Sequence, residues 1–350
     1  MFKKIFIIFT AIIILILSVS FYYFKAINNP TGTPGQERDF EITGGQSLED
    51  IAAKLESEGL ISSAIWFKLY VWQQDWTGKL KAGQYKFKTD SNIIEIARTL
   101  STGDTLGKEI EVLIKEGQNI REAAVTFREK GLFNEEDFFK VAGYPMIDYR
   151  TAAAPPEPKD FSDIFNFLED KPSFVGLEGY LFPDTYRFYK DARPEEVVMK
   201  MLGNFDKKLT QSMRDEISRQ GKTIYEIVTM ASLIEKEVRS DEDMKIVSGI
   251  FWNRINEGQR LQSCASLAYV LGVNKPQYSY EDTQVESPYN TYRNDGLTPG
   301  PITNPGLKAI EAAIYPEQTE YKYFLTATDG TTVFAKTYNE HLRNKEKYLR

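Results

Sequence analysis

Cysteine and histidine are almost missing from this chain: its 350 residues include one of each, Cys264 and His341. A lone cysteine excludes an internal disulfide. One histidine and one cysteine also exclude a His/Cys metal centre and a Ser-His-Asp triad, so no metal and no cofactor is expected. Basic clusters are absent too. The 43 Lys and Arg are dispersed among 50 Asp and Glu, for a net charge of −7. Phosphate backbones are bound by basic patches, so nucleic acid is not an expected partner. Acid–base chemistry therefore falls to carboxylates or tyrosines. Apolar residues are plentiful (42%, with 13% aromatic), enough for sizeable cores in two or three domains.

The longest uncharged run is Ile5 to Phe24. As a helix it matches a hydrocarbon layer about 30 Å thick. Lys3 and Lys4 precede it, and no A-x-A cleavage site follows, so the run reads as a retained anchor with a cytoplasmic N-terminus. The expected order is residues 1–4 in the cytoplasm, 5–24 as a transmembrane helix, and 25–38 as a linker rich in Pro, Gly and Asn. The rest lies outside the membrane.

An internal repeat follows. Gly45, Gln46, Gly59, Leu60 and Phe67 recur 72 residues later as Gly117, Gln118, Gly131, Leu132 and Phe139. Asn92 to Leu100 echoes the first helix of the copy. Each copy follows a short alternating strand, at Asp39–Thr43, Tyr85–Lys88 and Glu109–Lys115. The unit is strand, glycine turn, short helix. Trp66, Trp72 and Trp76 have the chemistry to stack on sugar faces, and their spacing equally fits core packing. Tyr144 to Asp160 carries four prolines and reads as a domain boundary.

The stretch Thr223 to Gln262 reads as a helix, a polar break and a second helix. Ile224, Ile227, Met230, Ile234 and Val238 keep helical spacing; Ile246, Val247, Ile250, Phe251 and Ile255 form the next stripe. Glu235 and Glu237 lie on the margins of the first apolar arc. Either is placed to become a general acid, because burial raises a carboxyl's pKa. Helix geometry does not choose between them.

MASLIEKEV, FWNRINEGQRLQS, SPYNTYRNDGLTPGPITNPG and YFLTATDGTTVFAKTYNEH resemble the YceG-like family of endolytic murein transglycosylases over nearly the whole chain. Gly176–Phe188, with Glu178, Gly179 and Phe182-Pro-Asp-Thr185, matches its Glu-Gly-aromatic pattern. The resemblance implies cleavage between N-acetylmuramic acid (MurNAc) and N-acetylglucosamine (GlcNAc) of nascent peptidoglycan, leaving 1,6-anhydro ends and terminating strand elongation. It also implies peptidoglycan synthases as partners, and a LysM-type identity for the βα repeats. The second glutamate of E-K-E, Glu237, becomes the catalytic acid, with Glu235 the alternative. Many members of that family carry an aspartate and a proline in the stretch where this chain has Cys264 and Ala265.

The expected fold is α+β: an N-terminal transmembrane helix, a LysM-like βα region over 39–107, a second repeat and linker over 108–160, and a mixed α+β catalytic domain over 161–350. Glu178, Gln262, Tyr289, Asn290, Tyr292 and Asn304 are the expected substrate-binding residues, since amides suit sugar hydroxyls and tyrosines suit sugar rings. Hydrolases generally use two carboxylates, whereas a lytic transglycosylase can use one. Two other readings compete: a non-catalytic glycan-binding scaffold at the membrane, and a hydrolase pairing Glu178 with Glu237.

Overall fold

Polar caps and three- to four-residue apolar spacing lay out helices along most of the chain. The computed structural model describes residues 2–31, 36–103, 109–151, 154–190, 192–275 and 277–349. It divides into two units, residues 1–109 and 110–350.

The first unit contains α1 (Phe2–Asn28), β1 (Glu37–Ile42), α2 (Leu48–Ser57), α3 (Ala64–Gln73), β2 (Gly83–Lys88) and α4 (Ile93–Thr102). Strands β1 and β2 pair antiparallel, with Phe40 opposite Tyr85. Their inward positions, Phe40, Ile42, Tyr85 and Phe87, are all buried, as period-two alternation requires. They close on Leu55, Phe67, Val71, Ile96 and Leu100. Trp66 and Trp76 pack against this core, while Trp72 stays exposed.

Helix α1 contains the run expected to cross a membrane. The side chains at 2–5, 7, 8, 11 and 12 lie outside the described set, as do residues 32–35 of the expected linker. Among the described residues no helix is long and apolar enough to cross a membrane.

The second unit begins with β3 (Glu109–Leu113), α5 (Ile120–Glu129) and α6 (Glu135–Ala142). It continues through β4 (Thr185–Tyr189), α7 (Pro194–Lys208), α8 (Gln211–Arg219), α9 (Ile224–Glu237) and α10 (Asp241–Asn256). Then come α11 (Cys264–Leu271), α12 (Tyr280–Thr283), α13 (Leu307–Ile314), β5 (Tyr323–Thr326), β6 (Thr332–Ala335) and α14 (Tyr338–Tyr348). Strand β3 pairs with β4, and β5 pairs antiparallel with β6.

The repeat is real in three dimensions. In the first copy the Thr43 amide donates to Gln46 Oε1 at 2.9 Å; in the second the Lys115 amide donates to Gln118 Oε1 at 2.9 Å. Gly59 and Gly131 adopt φ of 69° and 73° after α2 and α5, a left-handed closure that favours glycine. Each copy carries a second helix, α3 or α6, that the strand–turn–helix unit did not include. No break in the core falls at residue 160: Val112, Ile120 and Phe127 of the second copy belong to one cluster with Phe167, Phe205, Ile234 and Ile310.

Helix α9 is the axis of the second unit. Residues Ile227 to Ile234 are buried without interruption, the mark of a helix covered on all sides. Helices α8, α10, α11 and α13 all pack against it. Its last turn, Glu235-Lys236-Glu237, is no longer fully buried.

Candidate active site

The two carboxylates at the end of α9 part company there. Glu235 Oε2 accepts from the Gly306 amide at 3.0 Å, at the N-cap of α13. Burial, reinforced by nearby Glu116, pushes its pKa up to about 7. Glu237 turns towards the start of α11. Its Oε1 accepts from the Ser263 hydroxyl and from the Ala265 amide at 3.3 Å. Burial raises its pKa above the usual carboxylate range, against the lowering effect of those two donors and of Arg254. A carboxyl in this setting keeps its proton nearer neutral pH, as a general acid must.

Arg254 on α10 is half-buried and is fixed by two carbonyls, Leu261 at 2.5 Å and Lys322 at 2.8 Å. It provides the one positive charge among the groups that perturb Glu237. Tyr292 comes from the loop between α12 and α13, and its hydroxyl meets Cys264 Sγ at 3.3 Å. Burial and the neighbouring Cys264 and Glu237 raise the Tyr292 pKa, so it stays a neutral phenol. Gln262 is exposed beside this group and has φ of 50°, a left-handed conformation uncommon outside glycine. Its amide donates to the Thr291 carbonyl at 3.1 Å.

The other sequence candidates lie apart from Glu237 as a buried framework. Glu178 Oε1 and Oε2 accept from the Ile120 amide at 2.9 and 3.1 Å, at the start of α5, and Oε2 meets the Tyr269 hydroxyl at 3.3 Å. Burial pushes its pKa up to about 8. Asn304 Oδ1 accepts from the Gly179 and Leu181 amides, and its Nδ2 donates to the Gln118 carbonyl at 3.0 Å. Asn290 Nδ2 donates to the Thr283 and Val285 carbonyls and its Oδ1 accepts from the Tyr292 amide. Tyr289 is buried against Tyr269, ring centroids 5.3 Å apart. The structure thus brings Tyr292 to Glu237 and sets Gln262 next to Ser263, which bonds that carboxyl. It buries Glu178, Tyr289, Asn290 and Asn304 as braces.

Ser263, Arg254 and Thr291 were missed by sequence reasoning. The only local signal was the N-R-I-N-E-G-Q-R-L-Q-S run, which does not reveal that its two ends meet at one carboxyl. Among the described residues no group of three or more His, Cys, Asp and Glu could hold a metal ion.

Comparison with known proteins finds relatives along nearly the whole chain. The profile of the YceG-like family matches residues 40–347. An endolytic murein transglycosylase of Bacillus subtilis (strain 168) is 31% identical over 337 residues, covering 96% of this chain and 91% of the relative. A protein of the same name from Streptococcus pneumoniae serotype 2 is 32% identical over 324 residues, 88% of this chain and 58% of its own length. A crystal structure described as a yceG-like protein of Listeria monocytogenes is 33% identical, covers 89% of this chain and 99% of its own, and aligns with a TM-score of 0.57.

Proposed function

Because this chain belongs to the YceG-like family, we propose that it is a membrane-anchored endolytic lytic transglycosylase acting on nascent peptidoglycan. Glu237 is the acid and then the base. Its proton passes to the glycosidic oxygen as the bond between MurNAc C1 and GlcNAc O4 breaks. The muramyl 6-hydroxyl oxygen bonds to C1, and its proton returns to Glu237. The products are a GlcNAc hydroxyl end and a 1,6-anhydroMurNAc end; no water is consumed and the acid is regenerated. One carboxyl suffices because the nucleophile belongs to the substrate and is already in place.

The observation that carries this reading is the Glu237 carboxyl itself. Its pKa is raised by desolvation, and Oε1 takes the donors of Ser263 and Ala265, leaving Oε2 for the sugar. Glu178 is less suited to act as a second catalytic carboxylate, since its oxygens are engaged by Ile120 and Tyr269. Gln262 and Tyr292 are the positioning groups for the sugar.

Two further parts belong to the proposal. Residues 5–24 anchor the chain in the cytoplasmic membrane, with the catalytic part outside and synthases as neighbours. Support comes from large apolar side chains left exposed along α1, among them Phe6, Phe9, Leu15 and Leu17, which are costly in water. The βα repeats are LysM-like glycan clamps. Support comes from grooves of about 550 and 570 Å³ on matching faces of the two copies, one lined by Glu41, Lys54 and Glu58, the other by Leu113, Thr126 and Lys130.

The test is mass spectrometry of uncrosslinked strands incubated with the full chain, wild type beside Glu237→Gln. Anhydro-ended fragments from wild type and none from the variant are expected. Undiminished fragments from the variant would move the chemistry elsewhere. None from a folded wild type would leave the scaffold reading.

A further inference from the structure

Helix α11 is capped unusually. Most polar N-cap side chains of the described helices accept from the first turn of the helix they precede, among them Ser47, Asn92, Asn119, Thr223 and Ser240; Ser63, before α3, does not. Ser263 stands at the N-cap of α11 and makes no such bond. Its hydroxyl is donated outward to Glu237 Oε1, and the same oxygen accepts the Ala265 amide of the first turn. Glu237 thus supplies the acceptor that a serine cap normally supplies itself.

The arrangement is braced at a cost. Gln262 is held left-handed (φ 50°) just before Ser263. The Ser263 amide donates to Thr291 Oγ1 at 2.9 Å, Thr291 Oγ1 meets Ser266 Oγ at 2.9 Å, and Ser266 Oγ donates back to the Ser263 carbonyl at 2.8 Å. Ser263, Ser266 and Thr291 are 0–2% exposed. A strained residue and a closed hydroxyl network are a large outlay for aiming one serine.

We propose that Ser263 is a positioning residue for Glu237, holding Oε1 through both halves of the proton cycle so that Oε2 alone faces the bond to be cut. The inference rests on the reading of Glu237 as the acid. After Glu237 releases its proton it is an ion in a largely apolar setting. A hydroxyl donor strengthens against an ionised acceptor, and the N-terminus of α11 adds its dipole at the same oxygen. The charged and titratable groups that face the carboxyl are Arg254 from α10, Cys264 from α11 and Tyr292 from the loop; Arg254 favours the ion, and burial opposes it.

The test is the pH profile of anhydro-end formation by the full chain on uncrosslinked strands, for wild type, Ser263→Ala and Ser263→Thr. Loss of the hydroxyl should lower kcat roughly ten- to hundredfold with little change in KM, since misplacing a reacting group has such effects. The ionised carboxyl also loses a donor, so the high-pH fall in rate should move to higher pH. Thr, which restores the hydroxyl, should recover both. Should Ser263→Ala fail to fold, Ser263→Gly, a nearly equivalent N-cap, gives the same readout. Wild-type kcat without the hydroxyl, or a lower kcat with an unmoved pH profile and no recovery in Thr, would overturn the inference and leave Glu237 as the acid. A Glu237→Gln variant as active as wild type would overturn both.

Discussion

Three glutamates of similar sequence setting have three different surroundings. Glu237 caps α11 beside an arginine, Glu235 caps α13 beside another carboxylate, and Glu178 is sealed against the start of α5. The Glu178 carboxyl is pushed up to about 8 in the fold and titrates near the ordinary glutamate value when unfolded. A raised folded pKa stabilises below the unfolded value, and that contribution is lost as pH rises through the folded one. Wild type should therefore lose thermal stability relative to Glu178→Gln between about pH 4.5 and 8. Calorimetry across that range checks it; a constant difference between the two would count against the buried assignment. Glu178→Gln should also keep transglycosylase activity within a few-fold, since this side chain is buried and its oxygens are engaged by Ile120 and Tyr269, whereas the two-carboxylate reading requires its loss.

At this scale the sequence was partly legible. E-K-E pointed to two carboxyls, and the family motif chose the second. The sequence did not show that Asn290 and Asn304 are buried within the fold. An amide that satisfies buried carbonyls and amides inside a loop has the same sequence signature as one that meets sugar hydroxyls. Asn304 binds Gly179, Leu181 and Gln118, contacts between segments far apart in the chain. Ser263 was invisible because its role depends on α9 and α11 meeting end to end.

At the scale of elements, α9 organises the second unit and the proline-rich loop before α13 closes over it. The Ile302 amide donates to Ser232 Oγ at 3.0 Å and Thr303 Oγ1 to the Ser232 carbonyl at 3.1 Å. Gly179 makes this closure possible. It has φ of 90°, and an added Cβ would lie 2.5 Å from Pro301 and 2.7 Å from Val228. Gly179→Ala combines left-handed strain with overpacking, so a loss on the order of 2–4 kcal/mol is expected. Denaturant unfolding measures it. A loss below about 1 kcal/mol would mean that loop and helix are not locked as described. The helical period made α9 and α10 readable, and the recurring glycines made the repeat readable. The second helix of each copy was not separated from its neighbours because α3 (AIWFKLYVWQ) is apolar nearly throughout, so its stripe does not stand out.

The molecule as a whole carries an apolar N-terminal helix, two repeat units and, in the reaction proposed above, a single-acid site. In that reaction the attacking oxygen comes from the substrate and not from water. Digestion of uncrosslinked strands by the full chain in ¹⁸O-labelled water tests that claim directly. Anhydro muramyl ends free of solvent ¹⁸O are expected. Reducing muramyl ends carrying one solvent ¹⁸O each would contradict it, since water would then be the nucleophile.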